Sequence, residues 1–256
     1  MGTIFSGDRP VLVGHRGMGT GSVDGHEENT LASFAAAIEA GLTWVEVDVR
    51  RSADDALVVR HNATTPDDRF VIDQTAAESG LPGLREVLDS LPPGIGVDID
   101  VKTEFEDATD PHDRLTGTLL APVLAEEARK RPVLVKSFDT AVVLRLRDAV
   151  PGVRTALLGW IRYPPAMAVA SAAGFGMDAL CLDARSFALE NGVEQPGRRP
   201  AGYAIDMAHR AGLELMVWGP EPEEAVWFAA AGADALVVND PLRIRQALTE
   251  PRVPTP

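Results

Sequence analysis

Cysteine, lysine and aromatic side chains are scarce in this 256-residue chain, which has a single cysteine, lysine only at 102, 130 and 136, and 5% Phe, Trp and Tyr. One cysteine, Cys181 in the apolar stretch Ala179 to Leu182, excludes a disulfide framework and a cysteine-based zinc site. No apolar run reaches the roughly 18 residues of a membrane-spanning helix, and Met1 to Pro10 has Gly, Ser, Asp and Pro where a signal peptide needs an apolar stretch. The expected location is the cytoplasm. Positive charge is also in deficit: 24 Lys and Arg face 38 Asp and Glu, a formal charge of −14, and no basic cluster offers a local exception. Such a chain repels phosphate backbones and anionic lipid headgroups, which argues against nucleic acid and stable membrane association. Met1 to Ser6 fits the loose N-myristoylation pattern, but the Arg-rich, Lys-poor basic set points to a bacterial chain, where that modification is not expected.

What is present is a repeated alternation. Short β-branched runs are followed by Ala-rich helical stretches, and several of these end in Ala-Gly (Ala40-Gly41, Ala173-Gly174, Ala211-Gly212, Ala231-Gly232), where glycine supplies a left-handed terminating residue. Strands are expected at 11–15, 43–49, 56–60, 95–101, 132–136, 153–158, 178–182, 213–218 and 234–238. Residues 50–55 alone join the second to the third. A parallel crossover needs about a dozen residues, so this pair is an antiparallel hairpin. Eight strands with crossovers remain, the number of a (β/α)8 TIM barrel with an extra β-hairpin after the second barrel strand. The Gly-rich stretch 14–25 lacks the G-x-G-x-x-G spacing of an open dinucleotide-binding sheet. No linker divides the chain, so 1–256 reads as one domain, with 251–256 a frayed tail.

A barrel keeps its chemistry at the C-terminal ends of its strands. There the first strand ends in His15-Arg16-Gly17, the second carries Glu46 and Asp48 at i and i+2, and the third places Asp98, Asp100 and Lys102 on one face. Acids inside apolar strands need a positive partner, because burying an unpaired carboxylate shifts or neutralises it. Neighbouring strands lie about 4.8 Å apart, so Glu46, Asp48 and Asp100 can converge on one hard cation, Mg²⁺ or Ca²⁺. The competing reading pairs the same acids with Arg16, Arg50 or Lys102 in internal salt bridges. The return strand of the hairpin ends in His61, near the rim that carries His15, and two imidazoles flanking a substrate can serve as general acid and general base. Arg16 and Lys102 offer donors suited to a phosphate. Together these residues describe phosphoester cleavage, with carbonyl or enolate chemistry on a divalent metal second. His26, His112 and His209 read as residues without a chemical role.

In this order, the residues resemble the glycerophosphodiester phosphodiesterase family. The matching elements are Gly14-His15-Arg16-Gly17, Glu28-Asn29-Thr30 before a helix holding Phe34, Glu46-Val47-Asp48-Val49, Val59-Arg60-His61 and Leu81 to Leu88. They continue through Asp100-Val101-Lys102, Ser137-Phe138-Asp139, Trp218, and Gly232-Ala233-Asp234 leading to Asn239-Asp240-Pro241, nearly the whole chain. The resemblance implies a (β/α)8 barrel that hydrolyses glycerophosphodiesters to glycerol 3-phosphate and an alcohol, a small-molecule reaction of lipid and glycerol metabolism. It implies His15 and His61 as the acid–base pair, Glu46, Asp48 and Asp100 as ligands of a divalent cation, Mg²⁺ or Ca²⁺, and Arg16 and Lys102 as phosphate-binding groups, with Glu28 and Trp218 in support. It also implies that the first nucleophile is the substrate's own glycerol hydroxyl, giving a cyclic phosphate that water opens. From the residues alone, Asn29 or Thr30 is an N-cap and Glu28 a partner for Arg16.

Four departures stand out. Glu27 replaces a family proline, Asn62 stands where Asp usually follows the histidine, Asp100 replaces the more frequent Glu, and 62–81 is shorter than the insertion of many members, implying a more open pocket. Asp at the third metal position is shared with spider-venom-type sphingomyelinase D enzymes, so a lysophospholipase D or sphingomyelinase D-like activity on lipids is the alternative. The polar character of 62–81, apart from Phe70, Val71 and Ile72, argues against it. A non-catalytic barrel retained for ligand binding would have lost some of His15, His61, Glu46, Asp48 or Lys102, and all are present.

Overall fold

Val45, Val47 and Val49 alternate with Trp44, Glu46 and Asp48 along a strand that a computed structural model shows buried on both faces. Residues 2–8, 10–187, 189–190, 193–194 and 199–249 are described. Burial on both faces is what a barrel strand requires, with helices against one face and the remaining strands enclosing the other. Eight such strands run parallel around a closed ring: β1 (Val11–Gly14), β2 (Trp44–Arg51), β3 (Gly96–Val101), β4 (Val133–Ser137), β5 (Arg154–Leu158), β6 (Ala179–Asp183), β7 (Glu214–Trp218) and β8 (Ala235–Val238). β1 closes the ring by pairing with β8 on one side and β2 on the other. Their helices are α1 (Leu31–Glu39), α2 (Leu84–Ser90), α3 (Thr116–Glu127), α4 (Thr140–Ala149), α5 (Pro165–Gly174), α6 (Ala201–Arg210), α7 (Pro222–Ala231) and α8 (Pro241–Thr249). This is the expected (β/α)8 barrel. Leu57–Val59 lies outside the ring, antiparallel to β2, with Val59 opposite Val49 and Leu57 opposite Arg51, as the short connection demands.

Two small hairpins were not expected: Ser22–Val23 with His26–Glu27, and Leu189–Glu190 with Val193–Glu194. Runs this short carry no periodicity to read. Of the Ala-Gly endings, Gly41, Gly212 and Gly232 are left-handed with φ of +83°, +80° and +93°. At Ala173-Gly174 the helix runs through Gly174, and the left-handed residue is Gly176, with φ +66°. The tail 251–256 lies outside the described residues, among which no helix is long and apolar enough to cross a membrane.

The ring separates two apolar layers. Outward side chains such as Val47 and Ile99 pack with Phe34, Leu88 and Leu124 of the helices. Inside, Phe5, Val11, Trp44, Cys181, Met216 and Val237 fill the ring, with the Phe5 and Trp44 rings 5.0 Å apart. The amides of Ile4 and Phe5 donate to the Glu214 carboxylate at 2.6 and 3.2 Å. Trp44 fits because Gly96 faces it, where a Cβ would stand 2.3 Å from the indole. Glu46 and Asp48 continue the inward face of Trp44, so the charged side chains stand above this apolar floor.

Candidate active site

The turn that follows β1 brings Arg16 inward. Arg16 is in the left-handed region (φ +54°), which costs a residue with a Cβ of the order of 1 kcal/mol or more. Its own backbone hydrogen bonds hold it there: its N–H donates to Glu46 Oε2 at 3.0 Å, and its carbonyl accepts from the Asn29 amide at 3.0 Å and Ser33 Oγ at 3.2 Å. Nη1 donates to both oxygens of Glu28 at 3.1 and 2.9 Å, and Nε lies 3.1 Å from Asp48 Oδ2. Glu28 is therefore the partner of Arg16 that the sequence suggests. Of the two candidate N-caps, Thr30 fills the position, its hydroxyl accepting from the Ser33 amide at 3.2 Å. Asn29 is left-handed (φ +58°) and turns inward, its Nδ2 donating to Asp48 Oδ2 at 2.8 Å.

Glu46, Asp48, Asp98 and Asp100 are all buried, Glu46 opposite Asp98 and Asp48 opposite Asp100 in the register of β2 with β3. One carboxylate oxygen from each of Glu46, Asp48 and Asp100 lies within 4.8 Å of the others. Lys102 Nζ is 3.0 Å from Asp48 Oδ1 and also pairs with Asp100. Lys136, on β4, pairs with Asp98 and lies 3.4 Å from Glu46 Oε1. Salt bridging and convergence of the acids thus coexist, although Arg50 pairs with Glu104 rather than with these acids.

The electrostatics follow from this crowding. Burial raises the proton affinity of Asp48, but Lys102 and Arg16 outweigh it and hold the carboxyl well below the usual carboxylate range. Burial pushes Asp100 up, and Lys102 and Lys136 offset this only in part because Asp48 and Glu46 add to it. Burial opposes the charge on Lys136, yet Asp98 and Glu46 hold it protonated well above the ordinary lysine value. Five carboxylates (Glu28, Glu46, Asp48, Asp98, Asp100) share three cations (Arg16, Lys102, Lys136), and Asp100 Oδ1 is buried without a hydrogen-bond partner among the described residues. An all-oxygen donor set short of positive charge fits a hard divalent cation.

Each candidate histidine is held by an asparagine. His15 Nδ1 lies 2.6 Å from Asn239 Oδ1, to which Thr20 also donates from N at 3.3 Å and Oγ1 at 2.9 Å. With that oxygen as acceptor, the network assigns the ring proton to Nδ1 and leaves the lone pair on Nε2. Burial lowers the His15 pKa below the ordinary imidazole value by more than the nearby Glu46 raises it. His61 arrives on the return strand: the Arg60 amide donates to the Asp48 carbonyl at 3.2 Å, and His61 Nδ1 lies 3.0 Å from Asn62 Oδ1. Asn62 therefore keeps an oxygen on this ring without the charge of an Asp. Trp218 ends β7 half-buried against the interior layer, with the Arg185 guanidinium 6.0 Å from its ring and, among the described residues, no hydrogen-bond partner for Nε1.

One network of ion pairs and hydrogen bonds thus joins Arg16, Glu28, Glu46, Asp48, Asp100 and Lys102. His15 adjoins it through Arg16, and His61 is near enough to Asp48 for its charge to lower that carboxyl. Lys136 and Asn239 were not expected. Lys136 had a signal, as one of three lysines in the chain and two residues past Leu134 in an apolar run. Asn239 stood only as part of a family-matching element, and its contact with His15 was not legible because only closure of the ring brings the two together, 224 residues apart. A groove of about 820 Å³ between α5 and α6, lined by Val169, Tyr203 and Met207 among others, holds none of these residues.

Comparison with known proteins gives the fold its relatives. A glycerophosphodiester phosphodiesterase from Thermotoga maritima is 21% identical with a TM-score of 0.70, over 94% of this chain and 99% of that one. One from Agrobacterium tumefaciens is 21% identical with a TM-score of 0.68, over 94% and 99%. An Oleispira antarctica phosphodiesterase, solved in complex with the product sn-glycerol-3-phosphate, is 20% identical with a TM-score of 0.73, over 94% and 97%. No curated protein matches the chain. The profile of the glycerophosphoryl diester phosphodiesterase family matches residues 15–243, from the first candidate histidine to beyond Asn239. By that match the chain belongs to the glycerophosphoryl diester phosphodiesterase family, a family of phosphoric diester hydrolases.

Proposed function

We propose that the protein hydrolyses glycerophosphodiesters to glycerol 3-phosphate and an alcohol in a reaction that depends on a divalent cation, with His15 and His61 exchanging the protons. The observation that carries this reading is a pair of asparagine-held imidazoles beside Glu46, Asp48 and Asp100, with Arg16 and Lys102 among the acids. The reading takes 1–256 as one catalytic domain acting on small molecules in the cytoplasm.

Arg16 and Lys102 supply fixed positive charge that orients an anionic phosphodiester. Glu46, Asp48 and Asp100 would hold Mg²⁺ or Ca²⁺, which when bound supplies Lewis-acid neutralisation of phosphoryl charge. His15, kept neutral near pH 7 by burial, takes the proton of the attacking hydroxyl on Nε2. In the first step that hydroxyl is the substrate's own: its oxygen bonds to phosphorus as the bond to the alcohol breaks, and His61 delivers a proton to the departing oxygen. Water then opens the cyclic phosphate with the two imidazoles in exchanged roles. Glu28 holds the Arg16 guanidinium at Nη1 while Asp48 takes Nε, and Trp218 supplies an apolar wall whose Nε1 donor has no partner among the described residues.

A second reading, a lysophospholipase D or sphingomyelinase D-like enzyme, is favoured by one observation. Phe105, 93% exposed, follows β3, and Trp160, 64% exposed, follows β5, so apolar side chains stand on loops at the mouth. Glycerol 3-phosphate release from glycerophosphocholine and glycerophosphoethanolamine, with added Mg²⁺ or Ca²⁺, tests the first reading. Release is expected with metal and absent after EDTA; full activity after exhaustive chelation removes the metal from the scheme. Faster turnover of lysophosphatidylcholine than of glycerophosphocholine decides for the second.

A further inference from the structure

Arg50 is a buried arginine, 8% exposed, to which the chemistry above gives no part. It lies two residues beyond Asp48 on the same face of β2. Its Nε and Nη2 both donate to the carbonyl oxygen of His61, at 3.0 and 2.6 Å, while Nη1 pairs with the Glu104 carboxylate, two residues beyond Lys102. An oxygen that takes two arms of a planar guanidinium is fixed in direction as well as distance.

The need for such a hold lies in where His61 stands. His15 sits directly on the ring, its amide donating to the Val238 carbonyl at 3.1 Å and its imidazole held by Asn239 and Thr20. His61 follows a three-residue strand outside the ring, and its imidazole contacts Asn62, an exposed residue. We propose that Arg50, oriented by Glu104, is a positioning residue for His61. It ties the backbone of the imidazole outside the ring to the strand of Asp48 and to the segment that follows Lys102, so that these groups keep one geometry. The role given to His61 rests on the phosphodiesterase reading above. The end of β2 and the hairpin turn are also joined to the segment after β3, by Arg51 with Asp110 at 2.8 Å and Asp55 with Arg114 at 2.9 Å, so loss of Arg50 leaves those elements connected.

The test compares Arg50→Met, Arg50→Lys and Arg50→Met/Glu104→Gln with the unaltered protein; the double variant leaves no unpaired, partly buried carboxylate at 104. A displacement of the order of 1 Å in a reacting group costs roughly 10²-fold in rate. Arg50→Met and the double variant are therefore expected to lose about that factor in kcat with KM changed by no more than about twofold. Arg50→Lys, which cannot form the fork, is expected to recover part of the loss. As a second readout, the His61 imidazole NMR signals, identified by their absence in His61→Gln, should shift and broaden in both Met variants while those of His209 stay in place. A kcat within about twofold of the unaltered protein, a loss confined to KM, or unmoved His61 signals overturns the proposal. If the unaltered protein releases no glycerol 3-phosphate, the phosphodiesterase reading fails by itself. The NMR comparison then decides whether Arg50 holds His61.

Discussion

The two halves of the ring carry opposite interiors. From β1 to β4 the inward side chains include Glu46, Asp48, Asp98, Asp100 and Lys136, with His15 and Arg16 at the end of β1. From β5 to β8 they are Ala156, Leu158, Ala179, Cys181, Met216, Ala235 and Val237, with charge at strand ends, Asp183 at the mouth and Arg154 and Glu214 at the floor. Buried charge is costly unless a partner stands within reach, so it is gathered on adjacent strands rather than spread around the ring. The apolar half is the low-dielectric wall against which those charges act strongly on each other.

Asp48→Asn attacks the charged half at the acid contacted by Arg16, Lys102 and Asn29. It should abolish turnover and lower stability by about 2–3 kcal/mol, because Arg16 and Lys102 each lose one of their two carboxylate partners. Urea unfolding at undiminished stability would show that this half does not depend on the network. Next in size, His15→Ala and His61→Ala should each lower kcat by roughly 10² or more in a glycerol 3-phosphate assay. A rate near that of the unaltered protein would take the residue out of the reaction. The pH profile gives a smaller and directional effect. Burial depresses the His15 pKa, so its base form persists to lower pH than a free imidazole, and the acid limb of kcat/KM should fall below the ordinary value of about 6.5. A limb above that value would mean that another group is the base. The smallest effect belongs to the apolar half: burial pushes the Cys181 thiol well up, so it is inert, and Cys181→Ala should cost about 1 kcal/mol and leave kcat within about twofold. A large loss of kcat there would end the contrast between the halves.

Much of the charged half was legible from residue order alone. Glu46 and Asp48 share a face because strand side chains alternate, and Asp100 joins them because adjacent parallel strands stand in register. The antiparallel return to His61 follows from a connection too short to cross over. What was not legible depends on strands or loops distant in sequence. Lys136 meets Glu46 across an intervening strand, Asn239 meets His15 only where the ring closes, and Arg50 finds Glu104 rather than the neighbouring acids. The choice between Asn29 and Thr30 as N-cap turned on Asp48, whose buried oxygen draws the Asn29 amide inward. Local preference favoured both residues, and the tertiary partner decided.

The floor contact between Glu214 and the amides of Ile4 and Phe5 bears on how the molecule is made. Those groups are 210 and 209 residues apart, and β1 completes its pairing only with β8. During synthesis the acids of β2 and β3 and the apolar Phe5 leave the ribosome long before the strands that wall them in. Contacts of such long separation are slow to form, because the loop must close before any reward is gained. Ring closure, rather than the growth of any helix, therefore sets the pace of folding, and until it occurs a nascent chain exposes its most apolar and its most charged interiors together.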